Sequence, residues 1–108
     1  MKLVVIESPY AGEVERNVRY ARAAMADSLR RGEYPLASHL LYTQPGVLDD
    51  LDPAQRSLGI EAGLAWGRLA DLVAVYQDLG LSRGMTFGIN RARAEGRPIE
   101  FRSIGFAF

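Results

Sequence analysis

The sequence has no cysteine, a single histidine and no surplus of charge of either sign. Without cysteine, the chain can form no disulfide and has no thiolate ligand or sulfur nucleophile, which fits a reducing compartment. A lone histidine does not make a metal site by itself, so we expect no metal and no cofactor. The 13 Lys and Arg residues balance 13 Asp and Glu residues, which argues against duplex nucleic acid as a partner.

Long apolar runs are also missing. The run Leu3–Ile6 is too short for the core of a signal peptide, and no apolar segment of about 18 residues follows it. We therefore expect a cytoplasmic protein that makes no membrane contact. Hydrophobic residues still make up 48% of the 108 residues, which is enough for one packed core. We expect a single domain over residues 1–108.

Strand-like and helix-like patterns alternate along the chain. The predicted elements are strand 3–6, helix 14–31, strand 34–38, helix 53–69, strand 71–76, helix 83–95 and strand 99–102. The first helix is expected to bury the apolar stripe Val14, Val18, Ala21, Met25 and Leu29. Asp52 and Ser82 are predicted N-caps. The apolar tail 104–108 is a candidate fifth strand or a contact with another subunit.

This order of elements predicts a three-layer α/β fold, flavodoxin-like or Rossmann-like. Its parallel sheet would have four or five strands in the order 2-1-3-4(-5), joined by right-handed crossovers. In such sheets ligands bind beyond the carboxyl ends of the strands, where the strand order reverses. The predicted site is therefore a crevice between residues 7–12, after strand one, and residues 78–85, after strand three.

Both loops carry groups suited to a phosphate or a sugar, because each precedes a helix whose first N–H groups are free. The candidate ligand-binding residues are Ser8, Pro9, Tyr10, Ala11 and Gly12 in the first loop and Asp78, Ser82, Arg83, Gly84 and Met85 in the second. The first loop is equally typical of an ordinary strand-to-helix turn. Ser82 can cap its helix and bind a ligand at the same time.

His39 and two glutamates complete the set of candidates. His39 follows strand two and is suited to bind a ligand or to move a proton near neutral pH. Glu61 borders the apolar side of its helix, where a carboxylate can act as a general base or simply pair with Arg68. Glu7 ends strand one beside the crevice. Glu61 and Glu7 are therefore the candidate catalytic residues.

Over about residues 2–103 the chain resembles the nucleoside 2-deoxyribosyltransferase-like superfamily, which includes deoxynucleoside-monophosphate N-glycosidases and phage-borne domains of unknown function. The residues that carry the resemblance are Ser8 to Gly12, His39, Trp66, Ala70 to Val73, Ser82 to Met85, Ala92 and Gly96 to Ile99. The resemblance implies a flavodoxin-like homo-oligomer that binds a small nucleoside or nucleotide in the predicted crevice.

The resemblance also implies a nucleophile that this chain lacks. Enzymes of the superfamily use a glutamate in the first turns of the helix after strand three to attack C1′ of the deoxyribose. Thr86 and Gly88 stand at the candidate positions, and the aspartate of the preceding helix falls near Gly63. The chain is thus either a nucleotide-binding domain without that nucleophile, or an N-glycosidase or deoxyribosyltransferase acting on deoxynucleoside monophosphates through Glu61 or Glu7. A flavodoxin-like FMN module or a purely structural protein is a weaker hypothesis, because no loop joins several Ser and Thr residues to flanking aromatics.

Overall fold

Eight elements follow one another in a computed structural model that describes residues 2–106. They are β1 (Leu3–Glu7), α1 (Val14–Arg30), β2 (Tyr34–Leu36), α2 (Ser38–Leu41), α3 (Pro53–Gly67), β3 (Leu72–Tyr76), α4 (Arg83–Ala94) and β4 (Ile99–Arg102). All four strands are parallel and lie in the order β2-β1-β3-β4. The predicted α/β fold and strand order are therefore confirmed.

Both faces of the sheet are buried. This agrees with the sequences of β1 and β3, which are apolar at successive positions. On one face Val4 and Ile6 pack with Tyr20 and Ala24 of α1. On the other face Val73 and Val75 pack with residues of α4, among them Met85 and Ile89. No helix within residues 2–106 combines the length and apolar character that crossing a membrane requires.

α1 is rotated relative to the predicted stripe. Val14 and Leu29 are exposed, at 39% and 55%. The prediction is confirmed at Ala21, which is buried, and at Met25, which packs against the core. The other buried residues of the helix are Asn17, Tyr20, Ala24 and Ser28. The prediction is wrong at Val14 and Leu29 because buried polar side chains find partners inside the fold: the Tyr20 hydroxyl donates to Asp78 at 2.6 Å, and Ser28 donates to Glu33 at 2.7 Å.

Two other predictions need correction. β2 ends at Leu36, two residues before the predicted end of the strand, and His39 lies in the short helix α2, which was not predicted. The tail forms no fifth strand within the described residues, because the backbone N–H groups of residues 104–106 donate to the Asp78 carboxylate. Residues 107 and 108 of the predicted tail lie outside the described part of the chain.

Candidate active site

A cavity of ≈ 380 Å³ opens where β1 and β3 end. Its lining residues come from both strands, from α2, α3 and α4, and from the connecting loops. α3 makes its main contacts with α2, so the cavity lies between α3 and the sheet. This is the edge of the sheet at which ligands bind in related topologies.

The loop after β1 forms one wall and is held in place by α1. The buried Asn17 amide donates to the carbonyl of Tyr10 at 2.8 Å and to that of Ala11 at 3.2 Å. Tyr10 and Ala11 both line the cavity. Gly12 then turns the chain into the helix with a φ of 99°, a conformation that suits glycine. The wall is therefore fixed by hydrogen bonds from the helix that follows it.

Ser8 and His39 form a polar pair on the same wall. The Ser8 Oγ and His39 Nε2 atoms are 2.7 Å apart, and both residues line the cavity. Burial lowers the pKa of His39 to about 4, so the imidazole is neutral at physiological pH. A neutral ring offers one donor and one acceptor. Ser8 occupies one of the two nitrogens, which fixes the orientation of the ring.

The start of α4 forms the opposite wall. Ser82 caps the helix by accepting a hydrogen bond from the Met85 N–H at 3.2 Å. Ser82, Arg83, Gly84 and Met85 all line the cavity, and Arg83 is exposed. The helix N-terminus and the guanidinium both favour a negatively charged group at this wall.

Glu7 is an acidic residue that lines the cavity, and its carboxyl group lies against Gly88 of α4. A Cβ built on Gly88 would lie 2.7 Å from the carboxyl carbon of Glu7, so the carboxyl group occupies the space of a side chain at position 88. Burial raises the pKa of Glu7 to about 8, although the Arg97 guanidinium acts in the opposite direction. No hydrogen bond from residues 2–106 reaches the Glu7 carboxyl group. Glu7 is therefore largely protonated at pH 7 and free to interact with a ligand.

Arg97 also lines the cavity. Its guanidinium donates to the Gly67 carbonyl at 2.6 Å and pairs with Glu95. Its Nε atom is buried and has no hydrogen-bond partner within the described residues. Arg97 thus places positive charge in the cavity, although it was not among the predicted site residues.

Four of the predicted site residues do not line the cavity: Pro9, Gly12, Asp78 and Glu61. The Asp78 carboxylate accepts hydrogen bonds from Tyr20 and from the backbone of residues 104–106. Burial raises the pKa of Asp78, but these hydrogen bonds outweigh it and keep the pKa below its ordinary value. Asp78 therefore anchors the C-terminal segment, and Glu61 lies exposed on α3.

α3 contributes more of the lining that sequence reasoning missed than any other element. Gly59, Gly63 and Gly67 face the cavity at intervals of four residues, which places them on one side of the helix. A Cβ at Gly63 would press on Ser38, and one at Gly67 would lie 3.0 Å from the Arg97 guanidinium. This glycine spacing was visible in the sequence. It was the signal that could have identified the α3 wall.

Solved structures that share this fold include a 2-deoxyribosyltransferase and a CMP N-glycosidase. A 2-deoxyribosyltransferase from Bacillus psychrosaccharolyticus matches 98% of this chain and 76% of its own, with a TM-score of 0.74 and 16% identity. A CMP N-glycosidase from Clostridium botulinum matches 99% of this chain and 76% of its own, with a TM-score of 0.55 and 16% identity. A search of curated proteins finds no match.

The sequence itself matches a protein family over residues 2–102, which covers all four strands and all four helices. The chain belongs to the family described as a domain of unknown function, DUF7768.

Proposed function

We propose that the protein binds a nucleoside or nucleotide in the cavity between the loop after β1 and the start of α4. The main support for the proposal is the cavity itself, which has a volume of ≈ 380 Å³ and lies at the carboxyl ends of the central strands. Ligand pockets usually measure about 300–1,000 Å³. The fold likeness to a deoxyribosyltransferase and a CMP N-glycosidase supports this class of ligand.

The lining suits the two ends of such a ligand. Ser8, His39 and Glu7 offer neutral donors and acceptors for a sugar or a base. The N-terminus of α4 and Arg83 offer a positive environment for a phosphate. The apolar side chains of Val5 and Val73 form the floor. We therefore place the phosphate against α4 and the glycosidic bond near Glu7.

The resemblance also implies a homo-oligomer, and the surface of α3 supports this part of the proposal. Leu58 and Trp66 of α3 are exposed at 56% and 49%, and Leu69, two residues after the helix, is exposed at 69%. Large apolar side chains exposed in one region of the surface favour contact with another protein surface.

Nucleotide binding is expected to raise the melting temperature. A ligand at 100 times its Kd adds about 2.7 kcal/mol to the free energy of unfolding, which is on the order of 10 °C for a domain of this size. The measurement is a thermal melt with a panel of nucleosides, deoxynucleoside monophosphates and FMN. Arg83→Ala should reduce the shift given by monophosphates and leave the shift given by nucleosides unchanged.

Arg93→Ala is the matched control, because Arg93 is an exposed arginine at the far end of the same helix. It should leave every shift as in the unmodified protein. The absence of any shift across the nucleosides and nucleotides would contradict the proposal. A shift with FMN alone would favour the flavodoxin-like hypothesis instead.

A second candidate function is cleavage of an N-glycosidic bond by a hydrolase or a transferase. Glu7 favours it, because an acidic side chain faces the cavity where it makes no hydrogen bond within the described residues. Glu61 supports it less, since its side chain is exposed and lies outside the lining.

A further inference from the structure

We infer that Glu7 is the catalytic acid of this cavity: it protonates the departing base of a bound nucleoside or nucleotide, and water rather than an enzyme carboxylate takes the sugar. The inference rests on the proposed function, because a nucleoside must first occupy the cavity. It differs from a covalent mechanism in the group that attacks C1′ and in the protonation state that the carboxyl group needs.

The first support is the shortage of carboxylates that could act as nucleophiles. Among residues 2–106 the acidic side chains that line the cavity are Glu7 and Asp50. Asp50 accepts a hydrogen bond from Arg56 at 2.9 Å and is engaged in that ion pair. The Thr86 hydroxyl donates to the Ser82 carbonyl at 3.1 Å and does not line the cavity.

The second support is the space that Gly88 leaves for Glu7. Because a Cβ at position 88 would collide with the Glu7 carboxyl group, the helix can carry a side chain there only if Glu7 moves away. The Glu7 side chain of β1 and a side chain at position 88 of α4 therefore cannot occupy the same space. In this chain the Glu7 side chain occupies it. The acidic group approaches the ligand from the end of a central strand, where Glu7 pairs with Val75 of β3.

The surroundings of Glu7 favour the protonated form. The charged and titratable side chains around the cavity are Tyr10, His39, Tyr42, Asp50, Arg56, Arg83 and Arg97. His39 is neutral, and Arg56 is paired with Asp50. Arg97 favours the ionised form of Glu7, but burial outweighs it and keeps the pKa raised. A carboxyl group that keeps its proton at pH 7 can donate it, whereas a nucleophile must have lost it.

The Glu7 proton moves to a ring nitrogen or carbonyl oxygen of the base, the bond between C1′ and the base nitrogen breaks, and its electron pair stays with the base. A water molecule adds to C1′ and releases one proton. A proton from solvent restores the Glu7 carboxyl group. The net reaction is hydrolysis to a free base and a free sugar or sugar phosphate.

The test follows free base by chromatography after incubation with each deoxynucleoside monophosphate. Glu7→Gln should lower the rate at least about 100-fold, the usual size of a general-acid contribution. The rate should be highest below pH 8 and fall about tenfold per unit above it, since the acid form is lost there. Glu15→Gln, an exposed glutamate outside the cavity, should release base at the unmodified rate.

A second pair of variants tests the geometry without removing the carboxyl group. Gly88→Ala should displace Glu7 and reduce base release as strongly as Glu7→Gln. Asn90→Ala is its control, because Asn90 is exposed on the same helix and does not line the cavity. The melting temperature of each variant shows whether it is folded. Excess of a second free base should yield no exchanged nucleotide, since water takes the sugar.

Several outcomes would overturn the inference. Among them are exchange of bases, a rate that rises with pH up to pH 8, and loss of activity with Glu61→Gln but not with Glu7→Gln. Nucleotide-dependent melting shifts without base release would also overturn it, while leaving the proposed function intact. If nucleotides caused no melting shift and no base were released, both the inference and the proposed function would be overturned.

Discussion

Glu7→Gln is expected to raise the free energy of unfolding at pH 8 by on the order of 4 kcal/mol. Burial raises the pKa of Glu7 from 4.5 to about 8, so the folded state holds the proton more tightly than the unfolded state does. The unmodified protein should therefore lose about 1.4 kcal/mol per pH unit between these two values. Glutamine carries no charge and removes this loss. The measurement is denaturant unfolding of both proteins from pH 4 to pH 9.

The two proteins should differ by less than about 1 kcal/mol at pH 4, where Glu7 is protonated in both states. The His39 contribution, which is lost as pH falls from 6.5 towards 4, is the same in both and cancels. Glu15→Gln, a change at an exposed glutamate outside the cavity, is the control and should not give the gain in stability at pH 8. Parallel curves for Glu7→Gln and the unmodified protein would show that Glu7 titrates normally. A side chain that costs this much stability at working pH is a candidate functional group.

Arg102→Met is expected to lower the free energy of unfolding by about 3–5 kcal/mol at pH 7. Arg102 ends β4 with its side chain only 2% exposed, and two guanidinium nitrogens bind Glu33 at 2.8 and 2.7 Å. The same guanidinium donates to the Tyr76 hydroxyl at 3.0 Å. Methionine fills much of the volume but leaves the Glu33 carboxylate without its cation. Denaturant unfolding at pH 7 measures the loss.

Arg56→Met provides the matched comparison, since Arg56 binds Asp50 at a similar distance of 2.9 Å but is 44% exposed. Arg56→Met should lower the free energy of unfolding by no more than about 1 kcal/mol. Hydrogen bonds from Arg102 hold the pKa of Glu33 below its ordinary value, so the pair stabilises the fold above pH 4.5. The cost of Arg102→Met should shrink as the pH falls below that value. Equal costs for the two variants would show that the Glu33–Arg102 pair is not effectively buried.

The elements were predictable where short-range chemistry defines them. Asp52 accepts from the Ala54 N–H at 3.0 Å with Pro53 at the first helical position, and Ser82 caps α4. β4 has the predicted bounds Ile99–Arg102. The strand order was predictable because connections between parallel strands are right-handed and short. Each of these features depends on neighbouring residues or on general topology.

Contacts between residues distant in sequence were not predictable. The periodic stripe on α1 suggested burial of Val14 and Leu29, but partners elsewhere in the chain decided which face turns inward. Glu33 and Arg102 are 69 positions apart, and nothing local marks either as buried. In the cavity, topology located the loops after β1 and β3. It could not show that α3 stands away from the sheet or that Arg97 reaches the lining.

The central claim is that the cavity binds a nucleoside or nucleotide beside Glu7. Its most direct test is titration of ¹⁵N-labelled protein with deoxynucleoside monophosphates, followed by amide chemical shifts. We predict that the shifts change first at Ser8, Ala11, His39, Gly84 and Gly88, which lie on the cavity walls. Unchanged spectra would contradict the claim, as would changes confined to the separate groove lined by Val18, Met25 and Leu40.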